Sequence, residues 1–395
     1  MSTAWKILAA LTLARLSMGF QFQSIPALTA PLTSEQGLSF AAIGTLTGAY
    51  LLPGVAAALA GGWLGQKLGD SRTALWGLAL MSLGGVGGWW ASSFEVALAW
   101  RLLAGIGAVA LNVMLSKMAA DWFQERSDLP TAMGVLVSSW PAGIALAMLS
   151  LPPIAVAFGM GTALLLPAVL CAVSLLMLAS VWRAPKQTAS PAGARGAGSW
   201  FSKREFVLVF IAGSIWGLYN VALIAAIAWS PGLLEFKGVD EVSASAAVSL
   251  IGWAAIVSVA AGGWIASRSA WPDLPALLCF GVSALLLLGL PFFDAATIAS
   301  WLMIVLGLAI GPAAAAIMTL PVEAARPQLR SMAMGIYFAI YYGMMGIAPS
   351  LLGFLRDGTG EVTAPLYAAA IILLACLPLW MAFRLLQRPK ARLGT

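Results

Sequence analysis

The sequence predicts an all-α membrane protein, with twelve transmembrane helices in two six-helix pseudo-symmetric bundles. Three observations predict it. Hydrophobic residues make up 61% of the 395 and charged residues 9%, with a mean hydropathy of +0.93, far outside the range of water-soluble domains. Apolar runs of the roughly 20 residues needed to cross a bilayer recur along the whole chain. Finally, Gly61-Gly62-Trp63 returns as Gly262-Gly263-Trp264, and Ala132-Met133-Gly134 returns as Ala333-Met334-Gly335. Both pairs have the same offset, 61 to 262 and 132 to 333, which marks one half-module written twice. Helices are the element that fits, because every backbone polar group in lipid must be satisfied inside its own segment.

The runs of the first half lie near 5–27, 41–64, 73–92, 97–119, 132–153 and 158–182. The first carries Arg15 in its middle, is too long for a secretory leader and lacks a small-x-small cleavage site, so it is helix 1. Helix 6 gives way to Arg183–Arg204, the only long hydrophilic stretch, rich in Ala, Gly, Ser, Pro and basic residues. That composition reads as a flexible linker over 183–204 between halves 1–182 and 205–395, with Trp200–Phe206 expected as a short surface helix. The second-half runs lie near 206–229, 243–266, 274–291, 298–321, 332–353 and 365–386. Pro26, Pro53, Pro141, Pro312 and Pro349 sit within spans and predict bends, with Gly311-Pro312 a candidate hinge. The remaining loops are short and leave no room for a soluble catalytic domain, so neither an enzyme nor a cofactor is expected.

Charge placement sets an orientation. Of the 21 Lys and Arg, Lys237 and Arg356 fall on one side and Arg15 and Arg101 inside spans, which leaves 17 on the side of the two chain ends. The positive-inside rule makes that side cytoplasmic. The net charge of +6 therefore reflects topology, and no nucleic-acid partner is implied. Cys171, Cys279 and Cys376 lie singly in three spans, as small apolar filler, and suggest neither a disulfide nor a metal site. Lipid is the expected surroundings and a monomer the expected state. The lack of long glycosylatable loops and of organelle signals points to a bacterial inner membrane.

The stretch after helix 2, Gly62-Trp63-Leu64-Gly65-Gln66-Lys67-Leu68-Gly69-Asp70-Ser71-Arg72, resembles the loop 2–3 signature of the major facilitator superfamily. Gly62, Leu64, Lys67, Gly69 and Arg72 match; Gln66 stands where the family has an acid that helps latch the cytoplasmic side, and Asp70 is the nearest acid that could replace it. Arg101-Leu102-Leu103-Ala104-Gly105-Ile106-Gly107 resembles the superfamily's R-x-x-x-G-x-G element on helix 4, whose Arg is often tied to proton coupling. Trp140-Pro141-Ala142-Gly143 is only a remnant of the helix 5 signature of proton-driven drug exporters. Gly37-Leu38-Ser39, Ile43-Gly44 and Gly61-Gly62-Trp63-Leu64 are similar to the anion:cation symporter branch, and Lys117–Phe123 with Ala132-Met133-Gly134 to nitrate- and cyanate-type carriers. The paired arginines of nitrate carriers on helices 2 and 8 are missing. The resemblance implies alternating access and a cavity lined by helices 1, 4, 7 and 10.

The chemistry rests on ionisable residues that cannot reach an interface. Arg15 is ten residues into helix 1, about 15 Å deep and near the bilayer midplane, where an unpaired Arg costs at least about 2.5–3.5 kcal/mol. Arg101 lies roughly 6 Å below the far boundary and is the second candidate; a bond to Glu95 or to loop carbonyls would make it architectural. All 15 acids fall in loops or at span ends, and there is no histidine. A proton relay on a midplane carboxylate or imidazole therefore has no candidate group. Two buried cations without an internal counter-charge call for a small anionic substrate, a carboxylate or planar oxyanion that accepts paired hydrogen bonds from Arg. Gly19, Phe22 and Gln23 lie within about 80° of Arg15 on helix 1, and Asn112 about 20° from Arg101 on helix 4. Helix 7 should add Trp216, Tyr219 and Asn220, and helix 11 Tyr341, with Tyr337 and Tyr342 nearby. Glu125/Arg126 and Glu323/Arg326/Arg330 fall at matching places after helices 4 and 10 and could exchange partners across an inner gate.

The expected function is secondary transport of a small anion, by exchange for another anion or with a co-transported proton. One alternative is an exporter of drug-like or apolar compounds, for which 17 Trp, 16 Met and 16 Phe could provide an adaptable surface. Another is a transporter-like sensor or assembly factor that binds without turnover.

Overall fold

The computed structural model describes residues 3–60, 69–123, 126–183, 200–268, 271 and 273–387. The first half contains α1 (Thr3–Ala27), α2 (Phe40–Ala58), α3 (Asp70–Trp89), α4 (Phe94–Phe123), α5 (Leu129–Phe158) and α6 (Met160–Val181). The second contains α7 (Lys203–Phe236), α8 (Glu241–Arg268), α9 (Leu274–Gly289), α10 (Met303–Ala324), α11 (Arg330–Thr359) and α12 (Ala364–Gln387). Ten of these twelve described segments contain a window long and apolar enough to cross a membrane. The other two, α1 and α3, are diluted by polar residues and glycines: α1 holds Lys6, Arg15, Gln21 and Gln23, and α3 opens on Asp70 and Arg72.

The start of α1 and the end of α12 share one face, called here the terminal face. Glu35, Gly159, Lys237, Asp294 and Gly360 lie in the connections at the opposite, distal face. Within the halves α1 packs on α5 and α3 on α4, with α7 on α11 and α8 on α10; α2 against α11 and α5 against α8 join the halves. Small residues make the close crossings possible. A Cβ on Gly143 would lie 2.2 Å from the Leu16 carbonyl oxygen, and one on Gly107 2.4 Å from that of Gly77.

Proline places the breaks. α2 is interrupted between Ala49 and Gly54, around Pro53, and α10 between Ile310 and Ala313, at Gly311-Pro312. Pro141 and Pro349 lie inside continuous helices. The expected surface helix at Trp200–Phe206 does not form. Ser202 and Glu205 instead make a reciprocal capping box that starts α7 at Lys203, so two orphan donors are satisfied and the helix runs on without a break. Apolar side chains such as Leu176 on α6 and Leu285 on α9 are exposed on the outside, as a lipid-facing surface requires.

Candidate functional site

Arg15 is held at the junction of the two halves. Its Nη1 donates to Asn112 Oδ1 of α4 at 2.7 Å, and Asn112 Nδ2 donates to the Tyr342 hydroxyl of α11 at 3.3 Å. Among the described residues the Nε of Arg15 is buried without a partner. None of the ion pairs among the described residues includes Arg15 or Arg101. The phenols of Tyr341 and Tyr342, uncharged at neutral pH, lie close to Arg15.

An aromatic wall from the C-terminal half faces this cation. Tyr341 and Tyr342 have ring centroids 4.9 Å apart, and Trp216 of α7 lies 5.9 Å from Tyr341, 6.3 Å from Tyr337 and 5.6 Å from Tyr219. The indole Nε1 of Trp216 is buried and has no partner among the described residues. The Tyr219 hydroxyl donates to the Ile310 carbonyl at 2.9 Å, which commits it to packing against α10. Asn220 Nδ2 donates back to the Trp216 carbonyl at 2.8 Å, one turn earlier in the same helix.

Two residues from the predicted face of α1 turn instead to α5. Phe22 is fully buried against Trp140 and Tyr50, and Gln23 Nε2 meets Met148 Sδ at 3.2 Å. Gly19 explains the proximity, since a Cβ there would lie 2.5 Å from the Trp140 carbonyl oxygen.

Arg101 is not part of the Arg15 cluster. It is only 8% exposed and donates to the Phe22 carbonyl at 2.7 Å, the Leu46 carbonyl at 3.1 Å and Ser24 Oγ at 3.4 Å. Its guanidinium also lies 4.7 Å from the Tyr50 ring centroid. This ties α4 to α1 and α2 near the distal face, through carbonyls that belong to helices and not to Glu95 or the loop carbonyls expected for an architectural Arg101. Asn112 shares a face of α4 with Arg101, but eleven residues of helix rise, about 16 Å, separate them, so Asn112 serves Arg15. Sequence spacing gave the face and not the level. Gln21 and Tyr50 were missed: Tyr50 OH donates to Gln21 Oε1 at 3.2 Å, and Gln21 Nε2 to the Met81 carbonyl at 2.9 Å. A buried glutamine two residues from another gave no local sign of which was structural.

The two sides of the Arg15 site differ. Toward the distal face a cavity of about 30 Å³ lies between α1, α2, α7 and α11, lined by Pro26, Thr47, Ile224 and Trp229, room for about one water. Here Asp357 accepts hydrogen bonds from the backbone N–H groups of Phe40 at 3.1 Å and Ala41 at 2.8 Å, capping α2 from the other half. Thr45 and Ser350 hydroxyls meet at 2.8 Å, and the Arg356 guanidinium lies 5.0 Å from the Phe40 ring centroid. On the terminal half of α1 a groove of about 360 Å³ is lined by Trp5, Leu8, Thr12, Leu16 and Val135.

In this arrangement the described charges at the terminal face pair within their own halves, and Glu125, one member of the exchange expected across an inner gate, lies outside the described residues. Arg126 binds Asp128 at 2.7 Å, and the Arg126 hydrogen bond holds the Asp128 carboxyl below the usual aspartate range. Trp5 Nε1 also donates to Asp128. Glu323 and Asp273 both pair with Arg384, and Arg326 pairs with Glu205 at 2.8 Å. In each case the partner lies in the same half. Arg330 opens α11 with no ion pair among the described residues. Asp70 pairs with Lys117 at 2.5 Å, α3 to α4, and Gly69 supplies the positive φ, 84°, that starts α3. Arg72 is exposed. Gly62, Gln66, Lys67 and Glu125 lie outside the described residues.

Comparison with known proteins agrees with this architecture. The Major Facilitator Superfamily model matches residues 8–349. The "Uncharacterized transporter YycB" of Bacillus subtilis (strain 168) is 25% identical over 362 residues, 89% of this chain and 87% of that protein. A crystal structure of a bacterial homologue of the human lysosomal transporter Spinster, inward-facing and unoccupied, superposes with a TM-score of 0.74 at 16% identity over 99% of each chain. A mutant of the nucleoside transporter NupG gives 0.71 at 14% identity, over 98% of this chain and 100% of that one. These structures share the fold. With a family model spanning most of the chain and two six-helix halves meeting at a central site, this multi-pass membrane protein belongs to the major facilitator superfamily of secondary transporters.

Proposed function

We propose that this transporter carries a small anion, a carboxylate or an inorganic oxyanion, and that Arg15 is the charge that holds it. The observation that carries this reading is the Arg15 guanidinium itself, fixed along one edge by Asn112, unpartnered at Nε and facing no carboxylate among the described residues. The uncommitted polar groups around it point the same way. Arg15 Nε–H and Trp216 Nε1–H are donors, and the Tyr342 hydroxyl, which already accepts from Asn112, has its own hydrogen to give. Arg15 Nε–H and Trp216 Nε1–H can only donate, which suits a ligand that accepts. With the termini cytoplasmic, in a bacterial inner membrane, the arrangement described above is closed to the outside. The side from which Arg15 is reached changes when the halves rock and the barrier moves to the other side. No carboxylate or imidazole near Arg15 can relay a proton, so exchange of anions or a proton carried on the substrate supplies the driving force.

The test is uptake into proteoliposomes and thermal stabilisation with a panel of acetate, benzoate, nitrate and cyanate, for wild type and Arg15→Ala. At least one anion should be carried by wild type and lost in the variant. A neutral or cationic compound carried equally by both would defeat the reading. The aromatic wall favours one rival, export of planar apolar compounds. In that case an overexpressing strain stays resistant to such compounds with Arg15 replaced.

A further inference from the structure

Tyr342 is the side chain at which the C-terminal half reaches the Arg15 site by two separate contacts. Its ring fills a notch in α2, where a Cβ on Gly54 would lie 2.3 to 2.6 Å from three ring carbons. Its hydroxyl accepts from Asn112 Nδ2 at 3.3 Å, while Asn112 Oδ1 accepts from Arg15 at 2.7 Å. The sense of this relay is fixed by chemistry. A guanidinium only donates, so the amide oxygen must face Arg15 and the amide hydrogens must face Tyr342. Rotating the amide would set donor against donor at Arg15.

We infer that Tyr342 is a positioning residue: through the Asn112 amide it fixes the Arg15 guanidinium, and it does so only while α11 is seated on α2. The inference rests on Arg15 as the centre of the substrate site. Seating is a property of the distal seal, because the α11 that carries Tyr342 also carries Gly346, Ser350 and Asp357, which contact α2 in succession toward the distal face. When α11 leaves α2, the ring leaves its notch and the hydroxyl leaves Asn112. The amide then loses one of its two fixed bonds, and Arg15 becomes free to turn. Orientation of the binding charge and closure of the distal side are thus one cooperative unit.

The experiment needs no substrate and has two readouts. In NMR of the protein labelled with 15N-arginine, Tyr342→Phe should speed rotation of the Arg15 guanidinium, and unchanged rotation would overturn the inference. The second readout is the distance across the distal face. Spin labels on Glu35→Cys and Glu361→Cys, exposed on opposite halves at the distal face, report the distance across that face; the three native cysteines are buried. Tyr342→Phe keeps the ring in its notch and removes only the hydroxyl. Asn112→Ala removes the amide. Each should raise the ratio of separated to apposed distances about fivefold, the usual worth of one net hydrogen bond, and the double variant should go no further than either single one. A wild-type distribution in Tyr342→Phe or in Asn112→Ala overturns the inference. So does an additive double variant, roughly 25-fold, since it would mean that the two side chains act through different bonds. Because no anion enters the measurement, its outcome is separate from that of the anion panel.

Discussion

Replacing Gly48 by alanine places a methyl group in the tightest crossing between the two halves. The added Cβ would lie 2.0 Å from the Gly346 carbonyl oxygen and 2.8 Å from its carbon, whereas ordinary contact begins near 3.4 Å. The shortfall is 3.4 minus 2.0, or 1.4 Å, and both sides are backbone, so no side chain can yield. α2 and α11 must separate. Overpacking of this kind costs about 1–3 kcal/mol. At tenfold per 1.4 kcal/mol, that shifts the closed-to-open ratio by roughly five- to a hundred-and-fiftyfold. Thr47 is buried and lines the small distal cavity, so a cysteine there reacts with a water-soluble maleimide only when the distal side opens. In a Thr47→Cys background in nanodiscs, Gly48→Ala should raise the alkylation rate within that range. Gly281→Ala, which meets nothing within 4 Å, should leave it unchanged. Equal rates for Gly48→Ala and its parent would refute the assignment of this crossing as the distal seal.

Asp357→Ala removes a carboxylate that caps α2 from the other half, and the same alkylation assay should show a rise of about fivefold, from a cap worth about 1 kcal/mol. Arg101→Leu deprives the Phe22 and Leu46 carbonyls of a buried cation and should lower stability by about 1.5–3 kcal/mol, read as a drop in thermal midpoint, while the response to anions persists. Arg15→Lys keeps a charge but cannot bridge Asn112 and a ligand with a planar fork; anion affinity should fall at least tenfold in thermal titrations, with little change in stability without ligand. Glu323→Gln weakens a cluster confined to the C-terminal half and should leave alkylation of Thr47→Cys at the parent rate.

The fold was legible because bilayer thickness and backbone hydrogen bonding constrain it so strongly. Span positions followed from hydropathy, and the two halves from a repeat that survives in short motifs. Arg15 was legible for the same reason, as a cation at mid-span is expensive anywhere except a cavity or a pair. What the sequence did not reveal was depth and direction. Helix periodicity put Asn112 on the Arg101 face but could not say that it would bond to Arg15, and it put Phe22 and Gln23 beside Arg15 although close contact at Gly19 rolls that stretch onto α5. The contacts between Asn112 and Tyr342 and between Phe40 and Asp357 join residues hundreds of positions apart, and such pairings leave no local pattern. The matched charges after helices 4 and 10 were legible in place but not in partner, since Arg126 bonds Asp128 two residues on and Arg326 bonds Glu205 at the start of α7.

A lone guanidinium at mid-membrane has an electrical consequence. Moving the barrier from one side of Arg15 to the other shifts that charge within the transmembrane field, and a full crossing of one charge is worth about 2.3 kcal/mol at 100 mV. A bound monovalent anion cancels the charge. The loaded carrier should therefore reorient with little regard to membrane potential, while the empty one is driven or held back by it. Exchange, in which the carrier always returns loaded, would be electrically quiet, and net movement in one direction would be paced by a voltage-biased return.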